Sequence, residues 1–122
     1  MSHDLLSDSD YRLLQLVWAH EPVGSGELVR LCREAYGWQK STTYTQIKRL
    51  ASKGLVQNEN ATVTARVSRE EVQGRESRSF VQRGFQGSLP GFVAAFLGGS
   101  RPLSDAEAEE LKALIDRHRD RG

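Results

Sequence analysis

The stretch WQKSTTYTQIKRLASKG, residues 38–54, has one apolar and one polar side when it is drawn as a helix from about Ser41 to Gly54. Angles follow from a rotation of 100° per residue, with Ile47 at zero. The side expected to face a core consists of Thr43, Tyr44, Ile47, Leu50 and Ala51. This stretch decides the fold, because the elements around it must cover that side.

The opposite side of this helix carries hydrogen-bond donors and no acid. Thr45 lies at about 160° and Arg49 at about 200° from Ile47. Residues 35–58 carry four cations and no acid, whereas residues 1–34 carry three basic and six acidic groups. Local positive potential determines where a polyanion docks. We therefore predict that double-stranded DNA binds this face through Lys40, Ser41, Thr42, Thr45, Gln46, Lys48, Arg49 and Lys53.

The side-chain chemistry of this face divides the predicted contacts. Arginine can bind guanine at O6 and N7, and glutamine can pair with adenine, so Arg49 and Gln46 are predicted to contact bases. Lys40, Lys48 and Lys53 are predicted to contact phosphates. The alternative is an ordinary solvated helix face, but such a face mixes both signs of charge.

Two helices are predicted before this stretch and a hairpin after it. Ser7, followed by acids in the first turn, is typical of a helix start, and a second helix is expected from about Ser25 to Tyr36. Their core positions are Tyr11, Leu13, Leu14, Leu16, Val17, Trp18, Leu28, Leu31, Cys32 and Ala35, and Trp38 is a further core residue. After Gly54 the period changes to two, over residues 55–57 and 62–67, which predicts a short hairpin.

Three helices followed by a β-hairpin are the order of a winged helix-turn-helix. The predicted fold class is mainly α with a small β-hairpin, a winged helix-turn-helix followed by an α-helical dimerisation region. The predicted domains are residues 1–67 for DNA binding and residues 68–122 for dimerisation.

The second part is predicted to contain three short helices. Ser68 with Glu71 and Ser104 with Glu107 have the spacing of capping boxes, and Ser88 precedes an apolar helix. A core this small is marginal, so self-association through a two-fold axis is expected. The predicted dimerisation residues are Phe80, Phe85, Leu89, Phe92, Val93, Phe96, Leu97, Leu111, Leu114 and Ile115.

Composition excludes several classes of protein. The chain has 122 residues, 38% of them apolar and 27% charged, which is typical of a soluble globular protein. The longest apolar run, residues 92–97, is far shorter than the roughly 20 residues of a membrane span, so no membrane insertion is expected. The acidic N-terminus is unlike a signal peptide, and a cytoplasmic location is expected.

No catalytic or metal-binding motif is present. The single cysteine, Cys32, cannot form an internal disulfide and is expected to be a small buried hydrophobe, with a redox-sensing thiol as the alternative. The sequence contains no phosphate-binding Gly-Lys-Ser/Thr loop, nucleophile elbow or HExxH motif. We therefore expect a protein without enzymatic activity, cofactor or metal.

From Leu6 to about Leu114 the chain resembles the BlaI/MecI/CopY family of penicillinase-repressor-like transcriptional regulators. The resemblance is carried by LSDSDYRLLQLVW, GELVRLC and WQKSTTYTQIKRLASKGLV, and then by FQGSLPGFVAAFL and LSDAEAEELKALI. It implies a homodimeric repressor that binds an imperfect palindrome with its third helix in the major groove. By position, Thr42, Thr45 and Arg49 match the family's DNA-facing pattern.

The resemblance also implies that proteolysis, triggered by a membrane sensor system with its regulatory protease, relieves repression. Ala95-Phe96 stands where the family has its scissile Asn-Phe. The hairpin NENATVTA is shorter than the family's and carries Glu59, so weak wing contacts are expected. The C-terminal cysteine cluster of copper-responsive members is absent. Two alternatives stay open: a DNA-binding regulator without a protease, and a protein-interaction module that docks an acidic partner.

Overall fold

The computed structural model describes residues 6–120, without the side chain of Asp120; residues 1–5 and 121–122 of the two predicted domains lie outside the described residues. The elements are α1 (Asp8–His20), β1 (Val23–Gly24), α2 (Ser25–Tyr36), α3 (Lys40–Ser52), β2 (Val56–Glu59), β3 (Thr62–Ala65), α4 (Arg69–Phe85), α5 (Leu89–Gly98) and α6 (Asp105–Asp120). The predicted fold class is confirmed. Within residues 6–120, no helix combines the length and apolar character needed to cross a bilayer.

The turn between α2 and α3 is set by one glycine. Gly37 has a φ of 71°, a left-handed conformation that glycine adopts without steric cost. The Gly37 N–H donates to the carbonyl of Arg33 at 3.0 Å, and the Trp38 N–H donates to the carbonyl of Cys32 at 3.4 Å. These bonds satisfy the last carbonyls of α2, and the chain turns into α3 within three residues.

The core lies beneath α3 and joins α1, α2 and the sheet. Its buried residues are Leu13, Leu14, Val17, Val23, Leu28, Cys32, Ile47, Leu50, Leu55, Val56 and Val63, with Leu16, Trp18, Leu31 and Trp38 partly buried against them. Cys32 is fully buried, as expected of a small hydrophobe, and burial raises the pKa of its thiol.

Three predicted core positions are wrong. Ala35, Tyr44 and Ala51 are exposed. On α3 the buried arc runs from Ile47 through Thr43 and Leu50 to half-buried Gln46. This arc is centred about 40° away from Ile47, on the side opposite Tyr44 and Ala51. The helical period identified an amphipathic helix, but the packing of α1 against α3 determines which residues are covered.

The predicted hairpin is confirmed, and it belongs to a three-stranded antiparallel sheet of order β1-β3-β2. Strands β2 and β3 pair from Val56↔Ala65 to Glu59↔Thr62. The two-residue strand β1 was not predicted; it pairs Val23 with Val63. The turn residues Asn60 and Ala61 have φ values of 53° and 59°. Both residues are therefore left-handed, as in a type I′ turn.

The first half of α4 packs on the winged helix. Trp18 Nε1 donates to the carbonyl of Val67 at 3.0 Å, and the Arg69 guanidinium lies 4.8 Å from the Trp18 ring centre. Val72 is buried, and the Leu6 N–H donates to Glu76 Oε1 at 3.0 Å. The first compact unit therefore extends to Phe80, and the second begins at Val81. The functional boundary after residue 67 stays a prediction.

The second unit contains the end of α4 together with α5 and α6. Ser88 Oγ caps α5 by accepting from the Gly91 N–H at 3.0 Å. The predicted capping boxes are confirmed at the starts of α4 and α6, where Ser68 and Ser104 exchange hydrogen bonds with Glu71 and Glu107. No side chain described between residues 81 and 119 is buried.

Candidate nucleic-acid interface

The exposed face of α3 is polar and free of acids over its whole length. Ser41, Thr45, Lys48 and Ser52 form its central stripe, because their spacings of four, three and four residues bring them to one side of a helix. Thr42 and Arg49 lie along one edge of the stripe, and Tyr44 lies along the other. We call this surface the outer face of α3. Each member of the stripe can donate a hydrogen bond.

The N-terminal end of α3 adds to the positive potential of this face. The side chain of Gln39, at the N-cap, makes no capping hydrogen bond, and the first turn contains no acid. Among the described residues, neither the Gln39 side chain nor an acid of the first turn therefore binds the first backbone N–H groups. An uncapped N-terminal turn of this kind favours a phosphate, because its dipole end and its unbonded amides attract negative charge.

A buried carboxylate on α1 receives donors from one edge of α3. Asp10 is fully buried, and its Oδ1 accepts from Arg49 Nε at 3.1 Å and from Gln46 Nε2 at 3.3 Å. Its Oδ2 accepts from Lys53 Nζ at 3.0 Å and from the Ser7 N–H at 3.0 Å. The Asp10 N–H donates to Ser7 Oγ at 3.1 Å, which completes a capping box. We call these contacts the Asp10 cluster.

The Asp10 cluster favours the ionised carboxylate. Burial raises the pKa of Asp10, but the hydrogen bond from the Ser7 N–H and the ion pairs with Lys53 and Arg49 outweigh burial. The pKa falls from 3.8 to about 2 as a result. Asp10 is therefore a negative charge at neutral pH, and it holds α3 against α1.

The hairpin tip contributes no positive charge to the surface. Asn58, Glu59, Asn60 and Ala61 are exposed, and Glu59 is the charged residue among them. Arg66, at the base of the hairpin, is a cation and is also exposed. Electrostatic attraction for a polyanion is therefore concentrated on α3.

Comparison with known proteins assigns the chain to a family. The family model described as penicillinase repressor matches residues 6–117. The chain belongs to the penicillinase repressor family. It is accordingly a DNA-binding repressor of transcription with a winged helix, in a family of regulators and not of enzymes.

Two further similarities accompany this match. An uncharacterized 16.5 kDa protein in the ptsI 3' region of Latilactobacillus sakei is 27% identical over 114 residues, which are 90% of this chain and 77% of that protein. The solution structure of the DNA binding domain of the repressor BlaI has 18% identity and a TM-score of 0.48, over 57% of this chain and 93% of that domain.

The structure places the predicted DNA-binding residues of this penicillinase repressor family member in two groups. The first group is exposed on the outer face or at the N-terminal turn of α3: Lys40, Ser41, Thr42, Thr45, Lys48 and Arg49. The second group comprises Gln46 and Lys53, whose donors lie on Asp10. Arg49 belongs to both groups, because its side chain is 49% exposed although its Nε lies on Asp10. Direct DNA contact by any of them stays a prediction.

Sequence reasoning missed three residues of this surface. Ser52 lies in the central stripe, at the position where the amphipathic pattern was already ending. Tyr44 is 38% exposed, whereas the helical period predicts it on the inward side. From the sequence, Asp10 is predicted only as a negative charge at the N-terminal end of the helix dipole. Its contacts with α3 span 36 to 43 residues, so local spacing contained no signal for them.

The predicted dimerisation residues lie mainly around an open groove in the second unit. A cavity of about 430 Å³ is lined by Phe92, Val93, Phe96, Leu97, Leu103, Glu107, Glu110, Leu111 and Leu114. Leu89 and Ile115 are exposed and lie close in sequence to the lining residues. Phe85 contacts Phe92 with ring centres 5.5 Å apart, and Phe80 is exposed on α4.

Ala95 and Phe96, the predicted cleavage site, are both exposed and lie inside α5. Within residues 6–120, no cluster of three His, Cys, Asp or Glu residues can hold a metal.

Proposed function

We propose that this repressor binds an imperfectly palindromic operator as a homodimer, with α3 of each protomer in the major groove. The observation that carries the proposal is the outer face of α3, which is exposed, rich in donors and free of acids. The major groove admits an α-helix and presents acceptors that such a face can recognise.

The proposal assigns base and phosphate contacts by position on α3. Thr45 lies in the central stripe, opposite the core, and Thr42 and Arg49 lie along one edge of the stripe; all three are assigned to base edges. Lys40 and Lys48 are assigned to phosphates, together with the uncapped N-terminal turn. Gln46 and Lys53 would contact DNA with the N–H donors that their single hydrogen bonds to Asp10 leave available.

Support for a homodimer comes from the second unit. None of its described side chains is buried, so its apolar residues have no core of their own. Leu111 and Leu114 on α6 face the same groove as Phe96 and Leu97 on α5. A second copy of the chain would cover this surface on both protomers through one two-fold axis. The same axis would place two α3 helices on two half-sites.

Substitution of Arg49 tests the recognition surface. We expect Arg49→Ala to weaken operator binding by about 1–3 kcal/mol per half-site and to lower the ratio of operator to random-DNA affinity. Lys48→Ala should weaken both DNAs alike, because a phosphate contact carries no sequence information. The matched control is Arg117→Ala on α6, which removes the same charge outside the winged helix. Electrophoretic mobility shifts at two salt concentrations measure the DNA affinity of the unmodified protein and the three variants.

The DNA for this test is found by footprinting the region beside the chain's own coding sequence. A protected site with two-fold symmetry and half-sites about one helical turn apart, or a multiple of it, is the expected result. Equal losses on operator and random DNA with Arg49→Ala would refute the assignment of Arg49. Absence of any shift at low salt would favour the alternative, a module that docks an acidic partner.

We also propose that proteolysis within α5, by the protease of a membrane sensor system, relieves repression. The exposure of Ala95 and Phe96 supports this proposal. The bond between them lies within α5, so the helix must unwind locally before the bond can be cleaved. A dimer that covers Phe96 would protect the bond.

Incubation with extract of induced cells should yield a fragment that ends at Ala95. Ala95→Asn restores the residue pair expected of the family, and this variant should be cut faster at the same bond. If neither protein is cut, a DNA-binding regulator without a protease is the correct description.

A further inference from the structure

The geometry points to Asp10 as a positioning residue for sequence recognition: we infer that it holds Arg49 by Nε, so that the two Nη groups of Arg49 face the DNA. This inference rests on the proposed role of Arg49 at a base edge. It adds a residue on α1 to a surface that otherwise belongs to α3.

The first argument is the way Asp10 itself is fixed. Its carboxylate is fully buried, and each oxygen accepts two hydrogen bonds. The reciprocal bonds with Ser7 fix its side chain at the start of α1. A buried carboxylate with four donors has little freedom to follow a mobile partner, so the partner is the group that becomes ordered.

The second argument is the division of the Arg49 guanidinium between two environments. Its Nε donates to Asp10 Oδ1 at 3.1 Å, while half of the side chain is exposed. Among the described residues, its Nη1 and Nη2 groups make no hydrogen bond. Guanine is read by two parallel N–H donors, and the Nη pair provides such a fork after Nε is occupied. Asp10 therefore orders the arginine without using the donors that a base needs.

The third argument is the position of the negative charge. A carboxylate beside a phosphate-binding surface opposes DNA binding if its only effect is electrostatic. Here Lys53 and Gln46 also bind Asp10, so the carboxylate is covered on the side of α3 and none of it is exposed. The arrangement lowers the electrostatic attraction for any DNA, but it orders Arg49, the arginine assigned to a base.

Asp10→Asn separates positioning from electrostatics, because the two effects have opposite signs. Asn cannot accept at both atoms, so its NH2 group would face either Lys53 and the Ser7 N–H or the donors of Arg49 and Gln46. We expect affinity for the footprinted operator to fall about five- to tenfold. Affinity for a scrambled duplex of the same composition should stay equal or increase, since a negative charge has been removed.

Asp8→Asn is the matched control. Asp8 is exposed in the same first turn of α1, carries the same charge and makes none of the four bonds of the Asp10 cluster. This variant should change operator and scrambled-duplex affinity by the same small factor. A parallel loss on both duplexes with Asp10→Asn would show a purely structural role and overturn the inference, and a parallel gain would show a purely electrostatic one.

The double variant tests whether Asp10 acts through Arg49. In the Arg49→Ala background, Asp10→Asn should not change the affinity ratio further. If Arg49→Ala lowers the ratio but Asp10→Asn lowers it equally in both backgrounds, the inference fails and the proposed function stands. If Arg49→Ala leaves the ratio unchanged, the assignment of Arg49 to a base fails, and the inference fails with it.

A measurement on the unmodified protein covers the case in which Asp10→Asn does not fold. Nitrogen-15 relaxation of the arginine Nε groups, without DNA, reports how ordered each guanidinium is on the nanosecond timescale. The Arg49 order parameter should lie nearer the roughly 0.85 of rigid groups than the roughly 0.6 of flexible ones. Exposed Arg117 on α6 is the internal reference. Equal disorder of the two Nε groups would overturn the inference.

Discussion

The proposed roles of single residues on α3 depend on contacts with α1 that local sequence spacing does not predict. Thr45 and Lys48 are exposed as predicted, because a rotation of 100° per residue places Thr45 nearly opposite Ile47 and Lys48 on the flank of that side. Gln46 and Lys53 were placed on the same surface, but they lie where α1 approaches. The helical period therefore identified the outer face and missed its border with a neighbouring helix.

The contacts of Asp10 between α1 and α3 have a measurable effect on the unfolding free energy. Its pKa is lower in the folded protein than the usual 3.8, so the folded state binds fewer protons than the unfolded state as the pH falls. The resulting stabilisation is complete above pH 3.8 and is lost as the pH approaches about 2. For a carboxyl with this pKa change, the contribution is about 2 kcal/mol.

We predict that the unfolding free energy of the unmodified protein, relative to Asp10→Asn, decreases by about 2 kcal/mol between pH 5 and pH 2. Urea unfolding followed by circular dichroism at several pH values measures this difference. Asp8→Asn, in the same turn, is the control and should show a smaller change. A constant difference between the unmodified protein and Asp10→Asn over this range would contradict the lowered pKa of Asp10.

At the scale of elements, local signals predicted helix starts well and strands less well. The capping boxes at Ser68 and Ser104 were predictable because serine and glutamate at a spacing of three satisfy the first amides of a helix locally. Strand β1 has only two residues, so it contains no alternation that could be recognised. It exists because Val23 pairs with Val63, forty residues later in the chain.

The hairpin turn carries a strained residue that sequence pattern did not identify. Ala61 has a φ of 59°, and an alanine in the left-handed region costs roughly 1–2 kcal/mol. Its carbonyl accepts from the Ser25 N–H at 2.8 Å, a contact that helps hold the turn against α2. Asn60, at 53°, has a side chain that tolerates this conformation better.

We predict that Ala61→Gly stabilises the protein by about 0.5–1 kcal/mol, because relief of strain exceeds the added flexibility of the unfolded chain. Thermal unfolding measures the change. Ala65→Gly in β3 is the matched control: the same substitution at an extended position should destabilise by about 0.5–1 kcal/mol. A loss of stability with Ala61→Gly would show that the left-handed conformation of Ala61 carries no strain.

At the scale of the whole molecule, the two compact units differ in how much they bury. The first has a core shared by three helices and a sheet, whereas none of the side chains described between residues 81 and 119 is buried. The sequence indicated this difference, since the apolar residues after Ser88 are too few to enclose a core. It predicts one helix from Ser68 that includes Val72, Phe80 and Phe85, but it assigns this helix wholly to the second part, whereas α4 begins on the first unit.

We predict that Leu114→Asp makes the protein monomeric at concentrations where the unmodified protein is a dimer. Leu114 lines the groove between α5 and α6 and is 53% exposed, so a buried partner surface there would not tolerate a charge. His118→Asp is the control, because it adds the same charge to α6 at a residue that does not line the groove. Sedimentation velocity measures the oligomeric state of the three proteins.

The same variant has a second consequence for DNA binding. Two protomers place two copies of Lys40 and Lys48 on phosphates of the duplex, so about four neutralised phosphates give a slope near −4 for log K against log salt. A monomer should show about half this slope and lower operator affinity, with less effect on the affinity of one half-site. Retention of the full slope by monomeric Leu114→Asp would mean that the cations of a single protomer, including some outside α3, account for the electrostatic contacts.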